Sequence, residues 1–223
     1  MIDKVRQKWG GDIEYFYHWI INYICMNSLK EEKIILKNVL ILTGSAHKQG
    51  TSFLLADKFE KGALKSGNKI KRYDTAFLNV GACKGCNYCR KNNGNCIQKD
   101  DFNLIKNDLM QFDIVVFITP IYYFGMSAQL KAFIDRFHCM SSDLGKKHRE
   151  GAILITTQAS SLDTTADALI SHYKNIINYL EWENKGILIA KGVPTRKVLE
   201  TTNYPQVAEK MGENIKKGCA NLN

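Results

Sequence analysis

Three stretches of this sequence hold residue types that could do chemistry. The first is Thr43-Gly-Ser-Ala-His-Lys-Gln-Gly-Thr-Ser52, a run rich in glycine and hydroxyls that joins an apolar segment to a helical pattern. Such a turn at a helix N-terminus offers unpaired backbone N–H groups, and the helix dipole draws an anion toward them. Ser45, Thr51 and Ser52 can add hydroxyl donors, while Gly44 and Gly50 let the backbone approach closely. The run is neither a Walker loop nor a GxGxxG turn, so it suits a monophosphate held largely by neutral donors. An ordinary turn with a Ser/Thr helix cap would look the same. The second stretch is Thr119-Pro-Ile-Tyr-Tyr-Phe-Gly-Met-Ser127, three consecutive aromatics in a loop. These suit a flat apolar ring that must be stacked and shielded from water, or else they cover an open end of the core. The third is Cys83-x2-Cys86-x2-Cys89-x6-Cys96 on a Gly- and Asn-rich segment. Four close thiolates suit an iron–sulfur cluster or zinc. Left free, they would be redox-active thiols, made more reactive by Lys84, Arg90 and Lys91.

Other polar residues form no such pattern. His18, His138, His148 and His172 have no metal-like spacing with one another, and no Ser-His-Asp order or carboxylate pair stands out. Asp135-Arg136 reads as an ion pair fixing its helix. The net charge of +9 comes from scattered lysines with no nucleic-acid motif, so it describes a solvated surface and a field that draws anionic substrates. An odd count of seven cysteines argues for a reducing compartment rather than a disulfide scaffold. The segment Tyr15 to Met26 is too short to span a bilayer and lacks the flanks of a signal peptide. A cytoplasmic location with no membrane partner is therefore expected.

These stretches need elements to position them. Short apolar runs at Asn38–Thr43, Asp113–Thr119, Gly151–Thr157 and Gly186–Ala190 read as strands of a buried sheet, and Lys69–Tyr73 as a poorer strand of the kind found at an edge. Helical patterns alternate with them: Ser52–Ser66 with apolar Phe53, Leu54, Phe59, Ala63 and Leu64, and Asp101–Met110 with Leu104 and Leu109 inward. Ser127–Phe137, Thr164–Leu180 and Gln206–Cys219 follow. Five strands alternating with helices imply an α/β fold, a doubly wound five-stranded parallel sheet of order 2-1-3-4-5 whose ligand crevice opens between strands one and three. Residues 1–37 fall outside this scheme. Ile13, Phe16, Trp19, Ile20, Tyr23 and Ile24 recur at helical spacing there, so a helical extension precedes a domain over 38–223.

A monophosphate site beside a ring site suits flavin mononucleotide (FMN). Gly44-Ser45 with Gly50-Thr51-Ser52, Pro120-Ile-Tyr-Tyr123 and Leu130-Lys-Ala-Phe-Ile-Asp-Arg136 together resemble the NAD(P)H-dependent FMN reductases and iron–sulfur flavoproteins of the flavodoxin-like superfamily. The resemblance runs from about Asn38 to the C-terminus. It implies that Ser45, His47, Gly50, Thr51 and Ser52 bind the FMN phosphate. It also implies that Pro120, Ile121, Tyr122, Tyr123 and Phe124 hold the isoalloxazine, with Thr157, Gln158 and Ala159 closing the far side. Three positions depart from the pattern: the family often has Arg where His47 stands, and Asn-Thr where this chain has Thr51-Ser52. The implied activity is an oxidoreductase that takes hydride from NAD(P)H and passes electrons to a quinone, a nitro or azo compound, free flavin or a protein acceptor. A homodimer or higher oligomer is implied as well. Cys83, Cys86, Cys89 and Cys96 resemble the compact motif that binds a [4Fe–4S] cluster in iron–sulfur flavoproteins, which would make the chain an electron carrier. Many reductases of this fold carry a similar stretch without a cluster.

Overall fold

The computed structural model describes residues 36–146 and 150–215. Apart from Leu36 and Lys37, the helical extension expected over 1–37 lies outside them. Five strands, β1 (Asn38–Thr43), β2 (Lys69–Asp74), β3 (Ile114–Pro120), β4 (Gly151–Thr157) and β5 (Asn184–Ala190), form one parallel sheet in the order β2-β1-β3-β4-β5. Lys37 already belongs to it: its N–H donates to Asn68 Oδ1 and its carbonyl accepts from Lys69 N–H. β3 and β4 are buried along their whole length, which explains their unbroken apolar sequence.

Successive side chains of a strand point to opposite faces, and the core divides accordingly. Leu40, Leu42, Val115, Phe117, Ala152 and Leu154 face α2 (Phe102–Leu109), α3 (Ala128–Asp135) and α5 (Asp167–Tyr179). Val39, Ile41, Val116, Ile118, Ile153 and Ile155 face α1 (Thr51–Lys65), α6 (Arg196–Glu200) and α7 (Tyr204–Glu213). A further short helix, α4 (Ser141–Lys146), follows a 3-10 turn at Arg136–Met140. Neither α4 nor α6 stands out in the sequence, because one or two turns are too short to establish a period. No helix among the described residues is long and apolar enough to cross a membrane.

Several inward positions differ from the sequence reading. Leu104 is exposed, and α2 buries Phe102 and Ile105 beside the expected Leu109. On α1, Leu64 is exposed while Leu55 and Ala56 are buried beside Phe53, Leu54, Phe59 and Ala63. The face of α1 is turned by its contact with α7. A Cβ on Gly62 would stand 1.9 Å from the Glu209 carbonyl oxygen, and one on Gly212 would stand 2.1 Å from that of Phe59. The two helices therefore meet backbone to backbone. Lys61 and Lys65 hydrogen-bond to Glu209 across the seam and hold its carboxyl down to about 2.

Because the atoms in the way are backbone, Gly62→Val should destabilise the fold by about 3 kcal/mol or more. Leu64→Val, on the exposed side of the same turn, should change it by less than about 1 kcal/mol. Urea denaturation of the two variants checks the pair.

Candidate active site

All five strands point the same way, so the loops at their carboxyl ends share one edge, and the chain reverses its winding between β1 and β3. At that switch β1 leads into Gly44, whose N–H donates to the Ile118 carbonyl at 2.8 Å. A Cβ at Gly44 would fall 2.3 Å from Ser127 Oγ and 2.8 Å from Leu130 Cβ. Ser127 is the N-cap of α3, and its Oγ accepts from Leu130 N–H. Its own N–H donates to Thr119 Oγ1 at 3.0 Å. The start of α3 is thus pinned to the ends of β1 and β3, and the loop after Gly44 must turn toward α1.

A cleft of about 360 Å³ opens there, within the range of small-ligand sites. Ser45, His47, Gly50, Thr51 and Ser52 line one side. Pro120, Ile121 and Tyr122 form another wall, and Thr157, Gln158 and Ala159 stand opposite. The structure thus brings eleven of the thirteen expected residues to one cavity. Gly50 is the N-cap of α1 and offers no side-chain hydrogen bond, so the helix N-terminus is left to an outside acceptor. Three hydroxyls cluster beside it: Thr51 Oγ1 donates to Thr157 Oγ1 at 3.1 Å, and Ser52 Oγ shares a 3.0 Å hydrogen bond with the same atom. His47 N–H donates to Ser45 Oγ, tightening the turn. Gln158 spends its amide N–H groups on the Ser160 and Leu162 carbonyls, and its buried Oε1 has no partner.

Tyr123 and Phe124, expected beside Tyr122, do not line the cleft. Tyr122 and Gly125 exchange both backbone hydrogen bonds, so Tyr123 and Phe124 become the two central residues of a tight hairpin turn. Both adopt positive φ, 46° and 64°, and both side chains are exposed at the rim. Such turns favour Asn-Gly; here the left-handed positions fall on two aromatics rather than on Gly125, a strained arrangement of the kind that gathers at functional sites. The sequence reading also missed Val193, Pro194, Thr195 and Arg196, which complete the cleft. The signal available was position alone: they follow β5, whose carboxyl end must share the edge.

The four motif cysteines are brought together elsewhere. Cys83, Cys86, Cys89 and Cys96 line a second, small cavity with Arg136 and His138, and Cys139 joins them from the 3-10 turn. Cys83 and Cys86 are exposed, Cys89 is buried and Cys96 half-buried. Burial pushes the Cys139 thiol up to about 11. Among the described residues no three His, Cys, Asp or Glu side chains stand close enough to hold one metal ion. The donor set has the chemistry of a cluster site, but the sulfurs are not gathered into a ligand shell.

Arg136 does not pair with Asp135, as the sequence reading had it. Asp135 takes Lys131 one turn back, while Arg136 is fully buried in a two-pronged pair with Asp100. The short i,i+4 reach favours Lys131, and burial demands a carboxylate that can accept both prongs. Arg136 also donates to the Gly81 carbonyl, and Asp100 accepts from Gly81 and Phe102 N–H. The pair therefore clasps both ends of the cysteine loop. Burial alone would push the Asp100 carboxyl up. Arg136 and the two backbone donors outweigh it and hold Asp100 below the usual carboxylate range.

Comparison with known proteins places this geometry. The family model described as NADPH-dependent FMN reductase matches residues 37–192. An iron–sulfur flavoprotein of Archaeoglobus fulgidus is 34% identical over 101 residues, 45% of this chain and 45% of that protein. One of Methanocaldococcus jannaschii is 32% identical over 96 residues, 43% of this chain and 48% of its own length. The matched segment thus spans about half the length of these curated relatives. Among solved structures, the NAD(P)H:quinone oxidoreductase of Methanothermobacter marburgensis aligns over 82% of this chain and 98% of its own, with TM-score 0.67 and 17% identity. An FMN-dependent NADH-azoreductase of Bacillus anthracis, in complex with FMN, aligns over 79% and 98%, with TM-score 0.59 and 14% identity. At these identities the structures share the fold.

Asp100→Asn leaves Arg136 buried without a charged partner, which should cost about 3–5 kcal/mol at neutral pH. Since the folded Asp100 pKa is depressed, the pair's contribution is full above the unfolded aspartate value of about 3.9 and is lost as pH falls below it. Denaturation curves of both proteins should therefore lie far apart at neutral pH and converge in strong acid.

Proposed function

The chain belongs to the NADPH-dependent FMN reductase family, and we propose that it is an oxidoreductase holding FMN in the cleft at the carboxyl edge of the sheet. The observation that carries this reading is the uncapped N-terminus of α1 ringed by the hydroxyls of Thr51, Ser52 and Thr157. It offers a phosphate neutral donors and a favourable dipole. The unpartnered Oε1 of Gln158 is a second fit, a buried acceptor that needs a ligand N–H or O–H. When bound, FMN supplies the redox chemistry, accepting hydride from NAD(P)H and releasing electrons to an acceptor.

The chain's own residues bind and orient. Ser45, Gly50, Thr51 and Ser52 present hydroxyl and backbone donors to the phosphate, with His47 at their edge. Pro120, Ile121 and Tyr122 give an apolar wall for the isoalloxazine, and Thr157, Gln158 and Ala159 close the opposite side. Tyr123 and Phe124 stand at the mouth, where they meet whatever approaches the ring. The acceptor is a quinone, nitro or azo compound, free flavin or a protein, and the working unit is a homodimer. A reducing, cytoplasmic setting suits the five free cysteines among the described residues.

A second reading has a specific observation behind it. The four motif cysteines line one cavity, and two relatives more than 30% identical are named iron–sulfur flavoproteins. On this reading Cys83, Cys86, Cys89 and Cys96 ligate a [4Fe–4S] cluster and the chain acts as an electron carrier.

Protein purified without oxygen should show flavin absorption and oxidise NADPH or NADH in steady state. Colourless protein that takes up no added FMN would sink the main reading. Near-stoichiometric iron and acid-labile sulfide, with little NAD(P)H turnover, would select the carrier. Thr157→Val should weaken FMN binding roughly tenfold, since it removes the hydroxyl that the other two share.

A further inference from the structure

We propose that Arg196 supplies the cationic contact to the phosphate of FMN, an inference that rests on the FMN reading of the cleft. A phosphate monoester carries close to two negative charges, yet the helix turn that faces it holds Thr51, Ser52 and Phe53, with no basic residue. Of the residues lining the cleft, only His47 and Arg196 can carry positive charge, and His47 is exposed on the loop. Arg196 is charged at any physiological pH.

Two connections tie the segment that carries Arg196 to the α1 side of the cleft. Val193 N–H donates to the Gln158 carbonyl at 3.0 Å, which ties the β5 loop to the residue next to Thr157, the centre of the hydroxyl cluster. Beyond it, α6 packs against α1 through Leu199, which is buried in the same cluster as Leu54 and Leu55. Arg196 is the first residue of α6, where Thr195 spends its hydroxyl on capping Val198 N–H. The guanidinium donates through Nε to Glu200 at 2.9 Å. That bond holds the stem, while among the described residues the terminal amino groups make no hydrogen bond and can meet a planar, two-pronged acceptor such as phosphate. The pair with Glu200 is partly exposed and contributes little to stability, so its use is in aiming the side chain.

The test is flavin binding by full-length protein stripped of its flavin, read as quenching of flavin fluorescence, with FMN and riboflavin as paired ligands. Arg196→Gln should raise the FMN Kd about tenfold, leave the riboflavin Kd unchanged and flatten the salt dependence of FMN binding. Arg196→Lys should recover part of the loss. An unchanged thermal midpoint shows that both variants fold. Equal weakening of FMN and riboflavin would overturn the assignment, as would a change confined to the KM for NADPH, which would put Arg196 on the pyridine nucleotide instead. Wild-type protein that binds neither flavin would instead bring down the function proposed above.

Discussion

The whole ligand edge depends on one close approach. At the end of β1 the chain passes α3 at Gly44 with no room for a single methyl group. Hydrogen bonds from Gly44 to Ile118 and from Ser127 to Thr119 fix both sides of the contact. With β1 and β3 locked at the point where the winding reverses, the next loop can only cross toward α1. That crossing opens the cleft and turns the uncapped helix start into one of its walls. A side chain at position 44 would push α3 away and remove the geometry that keeps Thr119 in hydrogen-bonding range of Ser127.

The same short helix serves the second cavity. Its first turn is capped beside the cleft by Ser127, and the residue after its last turn is Arg136, which holds both ends of the cysteine loop through Asp100 and Gly81. Eight helical residues span about 12 Å, so the two cavities are joined by one rigid strut. Their electrostatics differ. The cleft offers mostly neutral donors at a protein edge, whereas the cysteine cavity keeps a fully buried guanidinium whose Nε has no partner.

Most of the fold was legible because buried parallel strands must be apolar on both faces: β1, β3 and β4 carry that mark in full, β5 over its second half and the edge strand β2 only weakly, and all five runs match the strands to within two residues at either end. Helix faces were less legible. Leu64 and Leu104 fit an apolar stripe as well as their neighbours do, and only the packing partners decide which side turns inward. Eight cleft residues could be read because they sit in loops of unusual composition, whereas Thr157, Gln158 and Ala159 came from the family resemblance alone. Val193 to Arg196 could not, since nothing in Gly-Val-Pro-Thr-Arg sets it apart from an ordinary loop. Cys139 was hidden for a different reason: it reaches the other sulfurs through the fold, far from them in sequence. Ion pairing was the least legible, because adjacency suggested Asp135 for Arg136 while burial selected Asp100.

The seam between α1 and α7 ties an early segment of the chain to a late one. Glycines 62 and 212 let the two backbones touch, so no other helix with ordinary side chains can occupy that place on α1. During synthesis, the helix that begins at the cleft emerges long before its partner does. Until Tyr204–Glu213 leaves the ribosome, the α1 backbone around Phe59 and Ala63 lacks the helix that packs on it. The cleft therefore takes its final form only once α7 has been made. A chaperone that shields this flank would have to recognise a groove sized for glycine rather than an ordinary greasy face.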